Sequence, residues 1–254
     1  MLAVWNPFLR RVKWINSNPN SKFDRFGFGY DSVSRDNYKI LRIRGWLDIK
    51  GKLEIDIYEF RSKLWRSVDA SLDPCAELWY APSNALSMDG NMYWIAYRKK
   101  DNSKTIASFD FSRETFKDIG CCVPFDEAVL SGFERDRLSL LHYQSGVKIE
   151  VWVTNKVTDV VVSWSKYFNV TRPDLPRFVS SPCEFPTYFI DHKTNSIMVW
   201  YGHLLLDEYI KCILYTVYKM CDGEIIREQV VPGRRTGPAL WAAIRNKCFG
   251  PTFF

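Results

Sequence analysis

Ile57-Tyr58-Glu59-Phe60-Arg61-Ser62-Lys63-Leu64-Trp65 decides the fold of this 254-residue chain. Four alternating residues run into three polar ones and return on an aromatic, which is the pattern of a strand, a short turn and a second strand. The unit recurs. Ser108-Phe109-Asp110-Phe111 leads across Ser112-Arg113-Glu114 to Phe116, Val4-Trp5-Asn6-Pro7 leads to Trp14, and Glu150-Val151-Trp152-Val153 leads to Trp164. The steps Trp14 to Trp65, Trp65 to Phe116 and Phe116 to Trp164 are 51, 51 and 48 residues. A period of that length suits one four-stranded blade of a β-propeller, a repeated fold that binds more often than it transforms.

Working outward, the strand pattern fills most of the chain. Leu2–Trp5 and Arg11–Ile15 flank Asn6-Pro7, and Phe26–Tyr30 and Tyr38–Ile43 follow. Ala85-Leu86 and Asn91–Tyr97 flank Met88-Asp89-Gly90, where Asp-Gly is a strong turn signal. Arg137–Tyr143 with Val147–Val153, Tyr188–Ile190 with Ser196–Trp200, and Cys212–Tyr218 with Glu224–Gln229 read as further hairpins. Glu127–Leu130 and Leu204–Ile210 are each long enough for a turn of helix and no more. The expected fold is all-β, a propeller or partial propeller of about five blade units. It occupies residues 1–231, and 232–254 form a basic, poorly packed tail. The chain opens partway through a unit, so a closing strand or further sequence is needed to complete that blade.

The formal charge of +6 does not point to nucleic acid. Arg234, Arg235, Arg245 and Lys247, with no acidic residue among 232–254, supply four of the six excess charges. Recognition of a polyanion needs charge concentrated on a folded surface, and the body is near neutral. Seven cysteines, at 75, 121, 122, 183, 212, 221 and 248, are odd in number and form no C-x-x-C pair. The first seven residues carry neither a charged leader nor an apolar run, and no 18-residue apolar stretch exists. Free thiols in the cytoplasm or nucleus, away from a membrane, are the expectation.

Chemistry-bearing motifs are thin. His142, His192 and His203 share no zinc spacing, and Cys121 and Cys122 would point to opposite faces of an extended segment, so no metal site is expected. Ser163-Trp164-Ser165-Lys166 matches S-x-x-K but lies in a strand pattern without companion motifs. Asp191-His192 sets an acid beside a base without the third group that would orient a relay. Gly27-Phe28-Gly29 lacks the third glycine and the helix of a phosphate loop, and reads as backbone room beside packed aromatics. Arg10-Arg11 and Lys99-Lys100 read as solvated charge. No catalytic residue and no cofactor is expected.

Taken in order, Leu2-Ala3-Val4-Trp5-Asn6-Pro7, Phe28-Gly29-Tyr30-Asp31, Tyr38-Lys39-Ile40-Leu41-Arg42 and Ile57–Arg66 form one series. It continues with Leu86–Trp94, Ile106–Phe116, Ile149–Thr154, Val162–Lys166 and Phe189-Ile190-Asp191. The series resembles the carboxy-terminal F-box-associated domain of plant F-box proteins, which is related to kelch propellers. The resemblance implies a noncatalytic domain that captures a protein substrate for a cullin-based ubiquitin ligase, leading to ubiquitin-dependent degradation. In that family an amino-terminal F-box docks on the ligase adaptor. No F-box precedes the first strand here, so adaptor contact is not expected of this chain. From Val231 onward the family's hydrophobic closing strand gives way to Pro232-Gly233-Arg234-Arg235.

Contact residues are expected on the connections, which vary without disturbing a blade core. Residues 16–22, 44–52, 71–82 and 173–186 are the candidate loops, and Trp79, Tyr80, Phe178 and Phe185 are the candidate protein-contact aromatics. The substrate protein itself is not named by the sequence. A stand-alone module for protein, glycan or RNA, or a truncated relative without function, is the alternative reading.

Overall fold

The computed structural model describes residues 1–17, 24–32, 34, 37–44, 54–68, 76–77, 85–98, 101, 103–121, 127–144, 146–157, 162–172, 175, 186–206, 211–221 and 224–235. The chain opens with a hairpin, β1 (Leu2–Asn6) and β2 (Arg11–Ile15). The first sheet is β3 (Arg25–Tyr30), β4 (Tyr38–Ile43), β5 (Ile55–Glu59) and β6 (Leu64–Ser67). The second holds β7 (Ala76–Glu77), β8 (Leu86–Met88), β9 (Asn91–Arg98), β10 (Lys104–Asp110) and β11 (Thr115–Asp118). The third is β12 (Ala128–Phe133), β13 (Arg137–Gln144), β14 (Lys148–Thr154) and β15 (Trp164–Thr171). The fourth is β16 (Thr187–Asp191), β17 (Ser196–Leu206), β18 (Lys211–Cys221) and β19 (Glu224–Arg235).

Each sheet is an antiparallel meander in sequence order, except that β7 and β8 share the inner edge of β9. The first strands β3, β8, β12 and β16 adjoin one another from sheet to sheet, which places them toward a common axis. That is blade geometry, and the all-β propeller expectation holds: four blades and the half-blade β1–β2 make up the five units. No helix occurs among the described residues. Ala128–Leu130 and Leu204–Leu206, allowed above as helical turns, lie in β12 and β17, where cross-strand ladders override the local preference. His203 is also within β17. β19 runs to Arg235, four residues into the segment read as a tail.

Strand alternation builds a core between each pair of neighbours. Leu41, Ile43, Ile55 and Ile57 of the first blade meet Met92, Trp94, Ala96 and Phe109 of the second. Met88, Tyr93 and Ile106 meet Leu130, Leu138 and Leu140 of the third. Val129, Leu141, Tyr143, Ile149 and Val151 meet Tyr188, Ile190, Ile197, Val199 and Met220 of the fourth. The first junction is also polar. Lys39 Nζ donates to the Phe111 carbonyl oxygen at 2.8 Å and pairs with Glu114 at 2.7 Å, and Arg66 also pairs with Glu114. Gly27-Phe28-Gly29 gives the room its sequence suggested. A Cβ on Gly29 would stand 2.3 Å from the Phe111 ring and 2.4 Å from the Gly90 carbonyl oxygen.

Candidate functional site

Trp79, Tyr80, Phe178 and Phe185 lie outside the described residues, as do 18–22, 45–52 and most of the other candidate loops. The described surface concentrates its large exposed apolar side chains elsewhere, on the opening hairpin. Trp5 is 64% exposed, Trp14 66% and Phe8 71%, with Met1, Leu9 and Val12 beside them.

The hairpin's own register explains the patch. Leu2 lies opposite Ile15 and Val4 opposite Lys13, and this face packs on the first blade beside Ile40, Tyr58 and Trp65. Lys13 Nζ sits 4.5 Å from the centre of the Phe60 ring, and the Trp65 indole donates to the Asn16 carbonyl oxygen at 2.8 Å. Arg42 stacks on Trp65 at 4.8 Å and donates to the Ser17 carbonyl oxygen. Alternation turns the other face outward: Ala3 opposite Trp14 and Trp5 opposite Val12. The turn between the strands carries Phe8 and Leu9, and the Leu9 amide donates to Asn6 Oδ1 at 2.9 Å.

Charge distinguishes this face further. Arg10, Arg11, Lys13 and Lys22 are the ionisable side chains before Asp24, so the first 23 residues are purely basic. Arg10 is exposed in the turn, and exposed Arg11 lies opposite Asn6 at the turn end of the ladder. Rigid aromatic area rimmed by arginine is the chemistry enriched at protein-binding hot spots. A second partly exposed sheet face lies in the fourth blade, where Phe189 is 42% and Tyr215 44% exposed. It carries Trp200 half-buried and has no comparable basic run.

The groups suspected of chemistry are occupied structurally. Glu150 is nearly buried and pairs with Lys148 at 2.9 Å, Lys166 at 2.7 Å and His142 at 3.4 Å. Burial alone would raise its carboxyl, but hydrogen bonds from Lys166 and Lys148 outweigh that and hold it down at about 2. Lys166 of the S-x-x-K match therefore serves this ion network, on strand β15. Asp191 accepts from Thr194 Oγ1 at 2.7 Å and from the Lys193 amide at 3.0 Å, closing a turn. His192 meets Phe133 edge to face, with ring centres 4.7 Å apart. Among the described residues no three His, Cys, Asp or Glu side chains are grouped as metal donors, and no helix is long and apolar enough to cross a membrane.

Trp5 and Trp14, which mark the first unit of the repeat in the sequence, both face outward. One signal was available: the first 23 residues carry no acid.

Comparison with known proteins gives a consistent result. The profile of the F-box associated β-propeller domain matches residues 1–235. One Arabidopsis thaliana protein carrying an F-box protein name is 46% identical, over 92% of this chain and 64% of its own length. The F-box/WD-40 repeat-containing protein 1 of the same plant is 38% identical, over 99% of this chain and 64% of its own length. The chain thus spans somewhat less than two thirds of these relatives. Among solved structures, TolB from Acinetobacter baumannii matches 92% of this chain and 48% of its own, with a TM-score of 0.42 at 15% identity.

Proposed function

Because this chain belongs to the F-box associated β-propeller family, we propose that it is a noncatalytic recognition domain that holds a protein substrate for a ubiquitin ligase. The four packed blades are the scaffold, and ubiquitin transfer is left to partner subunits. Adaptor contact is not assigned to residues 1–254, because the family places that contact on an F-box. The cytoplasm or nucleus is the proposed setting, where the cysteines would stay reduced.

The observation that supports capture most directly is the outward face of the hairpin. Trp5 and Trp14 stand in water, whereas Tyr58 and Phe109, the counterparts of Trp5 in the next two blades, are buried. Exposed aromatic area of this size is rare on a monomer without a binding role. The patch is basic at its rim, so its preferred protein surface is apolar and acidic.

The reading is tested by fusing the chain behind an F-box and measuring the turnover of the proteins it retains. Retained proteins should shorten in half-life with the fusion and recover when Trp5→Ser and Trp14→Ser are introduced together. Turnover unchanged by the fusion would refute the ligase reading. Retention and turnover indifferent to both substitutions would move the site off the hairpin.

A further inference from the structure

We propose that the turns β1–β2, β5–β6 and β10–β11 form one basic row, which receives an acidic segment of the captured protein beside its apolar anchor on Trp5 and Trp14. This rests on the reading that the chain captures proteins, and it names the chemistry of the segment that is held.

The three turns are built on one plan. Each spans four residues between paired strand ends: Asn6 opposite Arg11, Glu59 opposite Leu64 and Asp110 opposite Thr115. The last turn residue, Arg10, Lys63 or Glu114, takes the left-handed backbone at φ 49°, 60° and 56°. A shared geometry presents the tip side chains alike.

Contacts join the turns side by side. Lys13, on the face of β2 that also carries Arg11, sets its ammonium 4.5 Å from the centre of the Phe60 ring in the second turn. Arg66 bridges the second turn to the third, donating to Glu59 at 2.8 Å and to Glu114. The Ser32 amide donates to Ser112 Oγ at 2.8 Å and ties the third turn to the first blade.

Charge along this row is one-sided. Its cations are Arg10, Arg11, Arg61, Lys63 and Arg113, all exposed and none with an acidic partner among the described residues. Its acids are engaged: Glu59 by Arg66, Glu114 by Arg66 and Lys39, and Asp110 by the amides of Ser112 and Arg113 in its own turn. Counting Asp31 and Asp89 on the adjoining inner turns against these cations still leaves the row positive. The third blade differs, with Arg137 balanced by Glu134 at 3.5 Å and Lys156 by Asp136 at 3.3 Å. A near-neutral body thus conceals a local concentration of charge, which is what steers an oppositely charged partner.

The row also separates an acidic protein segment from a nucleic acid. Single strands are held on a track of rings where successive bases stack, alongside cations. Here the exposed tryptophans and Phe8 sit at one end, on the opening hairpin, while Phe111 is buried and Phe60 is half-buried against Lys13. Tyr38, 43% exposed, is the one large exposed ring beside the second turn among the described residues. A single ring makes no stacking track. An apolar anchor continued by carboxylates matches the order of the surface, aromatic at the hairpin and cationic along the turns.

The experiment measures fluorescence anisotropy of a labelled peptide, Leu-Phe-Leu followed by hexaglutamate, with the full chain. Salt is kept at about 0.02 M, where exposed charges act over roughly 20 Å. The peptide should bind, and its hexaglutamine counterpart should bind at least about tenfold more weakly. Arg61→Glu with Arg113→Glu should weaken the acidic peptide by about tenfold. Arg135→Glu with Lys193→Glu, an equal change of charge on the third and fourth blades, should change it by less than about twofold. All four side chains are exposed and without an ion pair among the described residues, so neither variant disturbs a packed contact. Trp5→Ser with Trp14→Ser should weaken both peptides alike by removing the anchor. The proposal is overturned by equal binding of the two peptides, by equal losses in the two charge variants, by binding indifferent to Trp5 and Trp14, or by no binding at about 1 mM peptide. Tighter binding of hexauridylate that displaces the peptide would also overturn it and assign the row to nucleic acid. Failure here with turnover still dependent on Trp5 and Trp14 would remove the acidic segment and leave the capture function standing.

Discussion

The hairpin β1–β2 and the hairpin β10–β11 are built alike and end differently. Each closes on an Asx-type turn with a left-handed residue before the returning strand, Arg10 in one and Glu114 in the other. Each sets an apolar pair across the ladder, Trp5 opposite Val12 and Phe109 opposite Phe116. Phe109 is fully buried, its ring 4.9 Å from that of Phe116 and 5.0 Å from that of Phe111, whereas Trp5 is 64% exposed. The local sequence makes the hairpin, and the neighbouring blade decides whether its aromatic pair is core or surface. A repeat motif therefore fixes the direction in which a side chain faces without fixing what it meets.

The sharpest way to break this comparison is to truncate the equivalent positions. Phe109→Ala should cost about 3–5 kcal/mol by leaving a cavity in a fully packed junction. Trp5→Ala should cost less than about 0.5 kcal/mol, since it removes area that water already covers. Urea unfolding of both variants checks the difference, and a loss of similar size at Trp5 would mean that the hairpin face is covered in solution. Next in size is Gly29→Ala, which drives a Cβ against the Phe111 ring and the Gly90 backbone where the first two blades meet. A loss of about 2 kcal/mol is expected, because backbone cannot yield as a flexible side chain can. The opening hairpin offers no comparable closely held glycine, so Gly29→Ala also measures how rigid a complete junction is.

Much of this was legible in the sequence because it is carried by alternation and turn chemistry. Ile57–Trp65 and Ser108–Phe116 announce their strands, their turn and the direction of their aromatics without reference to anything distant. Met88-Asp89-Gly90 does the same, with Asp89 and Gly90 both at positive φ. The ion pairs across junctions were not legible. Lys39 and Glu114 are 75 residues apart, and their pairing depends on blade stacking that no local pattern encodes. The exposed hairpin face was not legible for a related reason. Trp14 was aligned with Trp65, but the register makes Val12 the counterpart of Trp65 and Trp5 that of Tyr58. The shift of two residues kept the face and hid the exposure, because exposure depends on what packs against that face and not on the local pattern.

Acid should separate the complete junctions from the hairpin more gently. Glu150 lies in the third blade with its carboxyl held at about 2, below the ordinary 4.5. A carboxyl lowered in the folded state adds stability that is whole above 4.5 and disappears as the pH falls toward 2. Its lysine partners are partly in water, so the contribution is about 1 kcal/mol rather than the full value of the shift. Wild-type stability should therefore fall between pH 4.5 and 2, with Glu150→Gln showing a shallower fall over the same range. The hairpin has no carboxylate to contribute, and an identical slope in both proteins would place the acid sensitivity elsewhere.

The smallest effect tests whether the two hairpins belong to one cooperative unit. Arg10 and Lys63 each hold a left-handed backbone that glycine adopts without strain. Replacement by glycine relieves about 1 kcal/mol of that strain at most, against an entropic cost of similar origin in the unfolded chain. Lys63→Gly should therefore raise stability by only a few tenths of a kcal/mol. Arg10→Gly should match it, because the Trp65 indole, the Lys13 stacking on Phe60 and the Leu2, Val4 and Ile15 packing tie the hairpin to the first blade. Equal gains in global unfolding mean that the half-blade melts with the rest. A gain at Lys63 with none at Arg10 means that it opens first, and the hairpin would then be the least stable part of the fold.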